Sequence, residues 1–272
     1  MVYCQRKRGE NAMLLAIVVG NSNITVGVFD GGELRMRAKV SAEAERSADE
    51  YMVLLYDLLR VNGVDREQLG GCIMASVVPS LTGLVEEAAV RLTGLRVIQV
   101  GPGTRTGFRI RIDDPTELGA DLAADTAGAL ALCGAPLLII DAGTVTTIAA
   151  VDESRSYLGG CILPGLYASA ALLKNSTALL PSIALRPPGE NILGKNSADA
   201  MCYGLLCGSA MMVDGFLDRY RTLPGMAGAK AVATGGSAGL LTASCRSEII
   251  LDADLTLKGL RELYRLNTVK KI

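Results

Sequence analysis

The chain contains no histidine in 272 residues. That excludes His-based catalytic triads, His-ligated metal centres and an imidazole general base, so any proton transfer must use Asp, Glu, Lys, Tyr or Cys. Tryptophan is also absent, and 3 Phe with 8 Tyr are poor material for a surface that stacks nucleic-acid bases. A formal net charge of -1 leaves no electrostatic footprint for nucleic acid or an anionic membrane. The cysteines (Cys4, Cys72, Cys133, Cys161, Cys202, Cys207, Cys245) are odd in number, scattered, and never form Cys-x-x-Cys. They read as core-filling thiols of a reducing, cytoplasmic protein rather than as disulfides or zinc ligands. No apolar run reaches the length of a membrane span. Residues 1–12 are polar and basic, without the apolar segment of a signal peptide, and are read as an N-terminal extension because Met13 directly precedes the first strand.

What remains is the composition of a soluble α/β protein, with half the residues hydrophobic and a fifth charged. Its most informative feature is an internal repeat. Ile17-Val18-Val19-Gly20-Asn21-Ser22 leads into an apolar run at 24–29 and a turn at Asp30-Gly31-Gly32. Ile140-Asp141-Ala142-Gly143-Thr144-Val145 leads into a second run at 147–151 and a turn at Asp152-Glu153-Ser154. Overlaid on the glycines, Val18 falls opposite Asp141.

The periodicity predicts strands at 14–19, 24–29 and 33–40, a helix at 47–61, a strand at 71–76, a helix at 81–92, a strand at 95–100 and a helix at 117–132. After Gly134-Ala135-Pro136 the pattern restarts. It gives strands at 137–141, 146–151 and 156–161, helices at 166–173 and 197–220, a strand at 231–234 and a closing helix at 256–265. Three strands, then helix, strand and helix, given twice, predicts a duplicated ribonuclease-H-like α/β fold with halves at 13–135 and 136–267 and a nucleotide cleft between them. A plain doubly wound nucleotide fold is the rival, but its parallel crossovers would not begin with two consecutive hairpins.

An acidic strand end followed by Gly and a hydroxyl suits phosphate and its cation. Asp141 is therefore a candidate cation ligand, and Gly143 and Thr144 are candidate phosphate contacts. Gly20, Asn21, Ser22 and Asn23 alone would be an ordinary hairpin turn; their pairing with the second copy points to phosphate. Asp121 opens a predicted helix, where a carboxylate caps the first turn and complements the dipole. It is equally a candidate general base, in a chain without histidine. Gly235-Gly236 ends a strand, as a plain turn or as a close approach for adenosine. Gly189-x-x-x-x-Gly194-Lys195 imitates a phosphate-binding loop, but Asn196 follows instead of Ser or Thr and no buried strand precedes it, so it is read as a loop.

Taken together, the landmarks resemble the type III pantothenate kinase family, of the acetate kinase–hexokinase–actin superfamily. They are Gly20-Asn21, Ala75-Ser76-Val77-Val78-Pro79, Gly103-x-x-Thr106-Gly107, Gly119-Ala120-Asp121, Asp141-x-Gly143-Thr144-x-Thr146-Thr147, Gly159-Gly160-x-Ile162-x-Pro164-Gly165, Leu180-Pro181, Gly194-Lys195-Asn196-Ser197, Thr234-Gly235-Gly236 and residues 255–260. The resemblance implies transfer of phosphate from ATP to the primary hydroxyl of pantothenate, entering coenzyme A biosynthesis. It implies a divalent metal (magnesium), a monovalent cation (potassium or ammonium) and a homodimer. By resemblance Asp121 is the base, Asp141 the monovalent-cation ligand and Thr144 an ATP contact. Gly119, Ala120, Asp121 and Leu122 would line the pantothenate pocket, and Ser197, in place of a usual Thr, would reach pantothenate from the dimer partner. Three positions depart from the family pattern: Val18 stands where Asp is usual, Leu122 where Arg is usual, and Ile112 where Tyr is frequent. Two alternatives to a working pantothenate kinase follow, a non-catalytic paralogue that binds nucleotide or a partner chain, and a kinase for a different small alcohol.

Overall fold

The computed structural model describes residues 12–187 and 192–268. Gly189 of the phosphate-loop imitation, and all of the N-terminal extension except Ala12, lie outside the described residues. The chain divides into two compact units. The first comprises the described parts of Met1–Gly107, Thr116–Gly128 and Thr256–Ile272; the second comprises the described parts of Phe108–Pro115 and Ala129–Leu255.

The first unit opens with an antiparallel meander, β1 (Met13–Val19), β2 (Asn23–Asp30) and β3 (Glu33–Ser41). The chain continues through α1 (Ala48–Val61), β4 (Leu69–Ser76), α2 (Pro79–Thr93) and β5 (Val97–Gln99). Helix α1 starts where a reciprocal cap can form. The Ser47 hydroxyl accepts from the Glu50 amide at 3.3 Å, and the Glu50 carboxylate accepts from the Ser47 amide at 2.7 Å. Its stripe Tyr51, Leu55 and Leu59 is buried in the first core, which also contains Leu15, Ile17 and Val19 of β1. Helix α2 begins on Pro79 and stops at Gly94, whose φ of 68° suits a residue without Cβ. Within α2, a Cβ at Gly83 would meet nothing within 4 Å. Gly83→Ala should therefore stabilise the chain by about 0.5–1 kcal/mol, chiefly by restricting the unfolded state; a lowered urea midpoint would show a hidden neighbour.

The second unit contains β6 (Arg109–Ile110), and α3 (Ala120–Cys133) runs from the first unit into the second. There follow β7 (Leu137–Ala142), β8 (Val145–Val151), β9 (Ser156–Pro164), α4 (Leu166–Ser176), α5 (Ser197–Arg221), β10 (Lys230–Thr234), α6 (Ala238–Thr242), β11 (Ile249–Leu251) and α7 (Leu255–Thr268). The first sheet has the order β3-β2-β1-β4-β5, the second β11-β10-β7-β8-β9-β6. Without β6 the second order repeats the first. In both, the middle strand of the five is antiparallel to its hairpin partner and parallel to its crossover partner. This is the duplicated ribonuclease-H-like architecture, and it removes the doubly wound rival. The second core is built on Leu138, Ile140 and Ala142 of β7 against Leu206, Ala210, Val213 and Leu217 of α5.

The unit boundaries differ from the sequence reading: residues 108–115 and 129–135 fall in the second unit, and the closing helix α7, grouped by sequence order with residues 136–267, packs in the first. A Cβ at Gly27 would lie 2.8 Å from Leu257, and one at Gly71 would lie 2.1 Å from the Tyr264 hydroxyl. The Arg261 guanidinium stands over the Phe29 ring at 5.4 Å and donates to the Gly32 carbonyl. The gaps above two strand glycines seat the helix there. Helix α5 has the length and apolarity of a membrane span, yet it carries Asp199, Asp214, Asp218, Arg219 and Arg221 and gives one stripe to the second core. Cys72, Cys133, Cys161, Cys202, Cys207 and Cys245 are free thiols. Burial pushes Cys72 and Cys245 up to about 12, as inert core thiols require.

Candidate active site

In the second unit, the end of β7 gathers most of the candidate residues. The strand buries Leu137 to Ile140, leaves Asp141 partly exposed and buries Ala142. Two segments flank the β7–β8 turn. Within it, the Gly143 amide donates to the Val145 carbonyl at 2.9 Å. On one side, Gly235 adopts φ 100°, and a Cβ there would lie 2.5 Å from the Asp141 Oδ1 and 2.6 Å from the Ala142 carbonyl oxygen. Only glycine allows both that backbone and that approach. Ser237 fixes the contact, donating from its amide at 2.9 Å and its hydroxyl at 2.8 Å to the Ala142 carbonyl. On the other side Gly165, which caps α4, lies so close that a Cβ would be 2.3 Å from the Thr144 carbonyl oxygen. Thr144 and Gly236 remain exposed at the rim. The structure thus brings Asp141, Gly143, Thr144 and Gly235 together, with Gly236 following on.

The sequence reading assigns no role to Gly165 or Ser237. In sequence, Pro164-Gly165 looks like a helix start and Ser237 like the continuation of a turn. The close approaches that give them work join segments distant in the chain.

In the first unit, β1 repeats the burial pattern of β7: Leu14 to Ile17 buried, Val18 partly exposed, Val19 buried. Val18 pairs with Thr25 and Ala75 as Asp141 pairs with Thr147 and Thr234. The overlay of Val18 on Asp141 is therefore structural as well as sequential. The first turn is one residue longer. Its Gly20 amide donates to the Asn23 carbonyl at 2.9 Å, and it holds Asn21 and Ser22 exposed.

Asp121 sits in the first turn of α3 and is partly buried. Its Oδ1 accepts from the adjacent Leu122 amide at 2.7 Å, one residue inside the helix start at Ala120, where a carboxylate complements the helix dipole. A Cβ at Gly119 would lie 2.6 Å from that same Oδ1 and 4.0 Å from Val77. Val77 donates to the Val19 carbonyl at 3.0 Å, so Gly119 reaches the loop that leaves β4 beside the end of β1. The Ser76 and Thr82 hydroxyls, 2.7 Å apart, brace that loop. Leu122, partly buried, follows Asp121 directly. Ser197 is exposed at the first turn of α5 behind its cap Asn196, which accepts from the Asp199 amide at 2.9 Å.

Burial pushes the Asp121 carboxyl up, opposed by the Leu122 amide and then its own. A raised carboxylate is a stronger proton acceptor, and it costs stability once ionised. The folded state holds this proton more tightly than the unfolded chain, so the cost is absent below the unfolded pKa. It grows as pH rises towards the folded value and stays above it. Asp121→Asn is accordingly expected to melt at or above the unmodified chain at pH 7, the difference disappearing in acid. A lower melting temperature at pH 7 would mean that the cap outweighs the burial.

Among the described residues, no group of three or more His, Cys, Asp or Glu side chains could hold a metal ion. A cation at Asp141 would thus take one carboxylate and otherwise neutral or ligand-borne oxygens. A buried hydroxyl opposite it in β8, that of Thr147, has no hydrogen-bond partner, and this donor set fits a cation of single charge.

The chain is similar to a type III pantothenate kinase of Moorella thermoacetica, 39% identical over 257 residues, covering 94% of this chain and 100% of the relative. One from Agathobacter rectalis is 36% identical over 260 residues, covering 96% and 100%. Among solved structures, a conserved Baf family protein of Campylobacter jejuni superimposes with a TM-score of 0.59 at 18% identity, covering 93% of this chain and 98% of its own. The ethanolamine utilization protein EutJ of Carboxydothermus hydrogenoformans gives 0.53 at 15% identity, covering 95% and 91%. At those identities the two structures speak for the fold alone. The sequence model of the type III pantothenate kinase family matches residues 14–219, and with near-complete coverage of relatives at more than a third identity this chain belongs to that family.

Proposed function

We propose that the protein phosphorylates pantothenate with ATP, giving 4'-phosphopantothenate for coenzyme A biosynthesis, at a reduced rate. The observation that best supports this is Asp121. It is a carboxylate with raised proton affinity, held at the start of α3 by a glycine that leaves it room. Asp121 accepts the proton of the pantothenate hydroxyl as that oxygen bonds to the γ-phosphorus and the bond to ADP breaks. Backbone amides at Gly143 and the Thr144 hydroxyl take phosphate oxygens, and the turn Gly20, Asn21, Ser22 and Asn23 takes others. Gly235 and Gly236 admit the adenosine. Gly119, Ala120 and Leu122 line the pantothenate, with Ser197 of the partner subunit. Asp141 would hold potassium or ammonium, which would supply positive charge beside the phosphates. Magnesium, bound to the ATP phosphates, would neutralise part of their charge.

Val18 removes a carboxylate from the phosphate side and Leu122 removes a guanidinium suited to pantothenate's carboxylate. These two residues also favour the second reading, a paralogue that binds nucleotide without transferring phosphate. Mass-spectrometric detection of 4'-phosphopantothenate after incubation with ATP, magnesium, potassium and pantothenate separates the two. Product that depends on Asp121 supports the kinase. ATP binding without product supports the paralogue.

The homodimer is proposed through α5. Its Met211 is 62% exposed, Met212 lies beside it, and Gly204 and Gly208 would present an added Cβ to open space. Exposed apolar residues beside glycines on one helix suit close packing of a second copy. Light scattering is expected to give twice the chain mass, and Met211→Glu to give the monomer. A monomeric unmodified chain at micromolar concentration would reject the dimer. Free thiols among the described residues and the substrate support a cytoplasmic location.

A further inference from the structure

Thr147 lies directly across the β7–β8 ladder from Asp141, and Thr234 lies across the β10–β7 ladder from it. Side chains of residues so paired share a sheet face, with Cβ atoms about 5 Å apart across an antiparallel pair. The row Thr234, Asp141, Thr147 therefore crosses three strands. It is not on the face that builds the second core. Ile140 and Ala142 in β7, and Ile148 and Ala150 in β8, serve that core, and Asp141 and Thr147 alternate with them. Thr147 is only 9% exposed, and its hydroxyl has no hydrogen-bond partner.

A buried hydroxyl without a partner costs free energy that valine, of the same shape, would not incur. The cost is recovered when a ligand takes the hydroxyl oxygen. The neighbouring charge is one carboxylate, and no acidic cluster surrounds it among the described residues. A single carboxylate with a neutral hydroxyl is too little charge for a dedicated divalent site and suits a weakly hydrated monovalent cation.

We propose that the Thr147 hydroxyl is a second protein ligand of the monovalent cation held by Asp141. The inference rests on the reading of Asp141 as a cation ligand, and its test must tell the two apart. The full chain is melted in potassium chloride and in choline chloride at equal ionic strength, a readout that needs no turnover. Potassium is expected to raise the melting temperature of the unmodified protein, because it binds the folded state. Thr147→Val should raise the half-effective potassium concentration about tenfold, Thr147→Ser should keep it near the unmodified value, and Asp141→Asn should lose the response. In choline chloride, Thr147→Val should melt at or above the unmodified chain, since no internal bond is lost. An unchanged potassium midpoint in Thr147→Val, with the response lost in Asp141→Asn, overturns the role of Thr147 alone. A response retained in Asp141→Asn, or absent from the unmodified protein, overturns the cation site itself. A large drop in melting temperature of Thr147→Val in choline chloride would mark a structural hydroxyl and also overturn the inference.

Discussion

Val18→Asp combined with Leu122→Arg should raise pantothenate turnover about a hundredfold or more over the unmodified chain. Two interactions of the kind restored, each contributing about 1.4 kcal/mol or more to the transition state, account for that factor. Both positions can take the change. Val18 is the partly exposed residue of β1, in the place Asp141 fills in β7, and Leu122 is partly buried in the first turn of α3. The Leu122→Arg change should act mainly on KM, because a guanidinium there grips the substrate carboxylate. The Val18→Asp change should act mainly on kcat, because a carboxylate there orients the phosphates. Each alone should give about tenfold or less, because alignment of phosphate and anchoring of substrate work together. Adding Asp121→Asn should remove the gain. Steady-state kinetics of the four variants checks this, and no gain in the double variant would favour the non-catalytic reading.

The second large effect is structural. Gly235→Val should destabilise the protein by about 3 kcal/mol or more, from a left-handed backbone and an overpacked contact together. Its new Cβ would sit 2.5 Å from the Asp141 Oδ1 and 2.6 Å from the Ala142 carbonyl oxygen. ATP binding should be lost even where folding is rescued by lower temperature, because the same side chain enters the adenosine approach. Urea unfolding and nucleotide titration read the two effects separately. A midpoint unchanged from the unmodified chain would mean that the Gly235 turn moves freely away from β7.

Much of the architecture was legible because it is written in local periodicity. The two meanders announce themselves through alternating apolar runs and Gly-containing turns, and the structure places them in sheets of the same order. The pairing of Val18 with Asp141 was visible for the same reason, since two residues before a turn glycine is a fixed strand position. The two-residue strand β6 and the three-residue strand β11 were not legible, because so short a run has no period to read. Nor was the placement of α7. Its amphipathic pattern demands a buried face but does not say which sheet supplies it, and the room above Gly27 and Gly71 is a property of the folded first unit. The site divides in the same way. Asp141, Gly143 and Thr144 are neighbours in the chain and stood out as a motif, whereas Gly165 and Ser237 gain their places from segments that fold back onto the β7–β8 turn. The capping and catalytic readings of Asp121 could not be separated in sequence, and the structure gives it both a helix amide and a raised proton affinity.

The central claim is that Asp121 delivers the pantothenate hydroxyl to ATP in this chain as it stands. The direct measurement incubates the unmodified protein, at concentrations comparable to ATP, with γ-32P-labelled ATP, magnesium, potassium and excess pantothenate, and follows label in phosphopantothenate for several hours. The unmodified chain should accumulate labelled product slowly and Asp121→Asn none, with ATP bound equally by both. No labelled product from a protein that binds ATP, or equal label from both proteins, would contradict it.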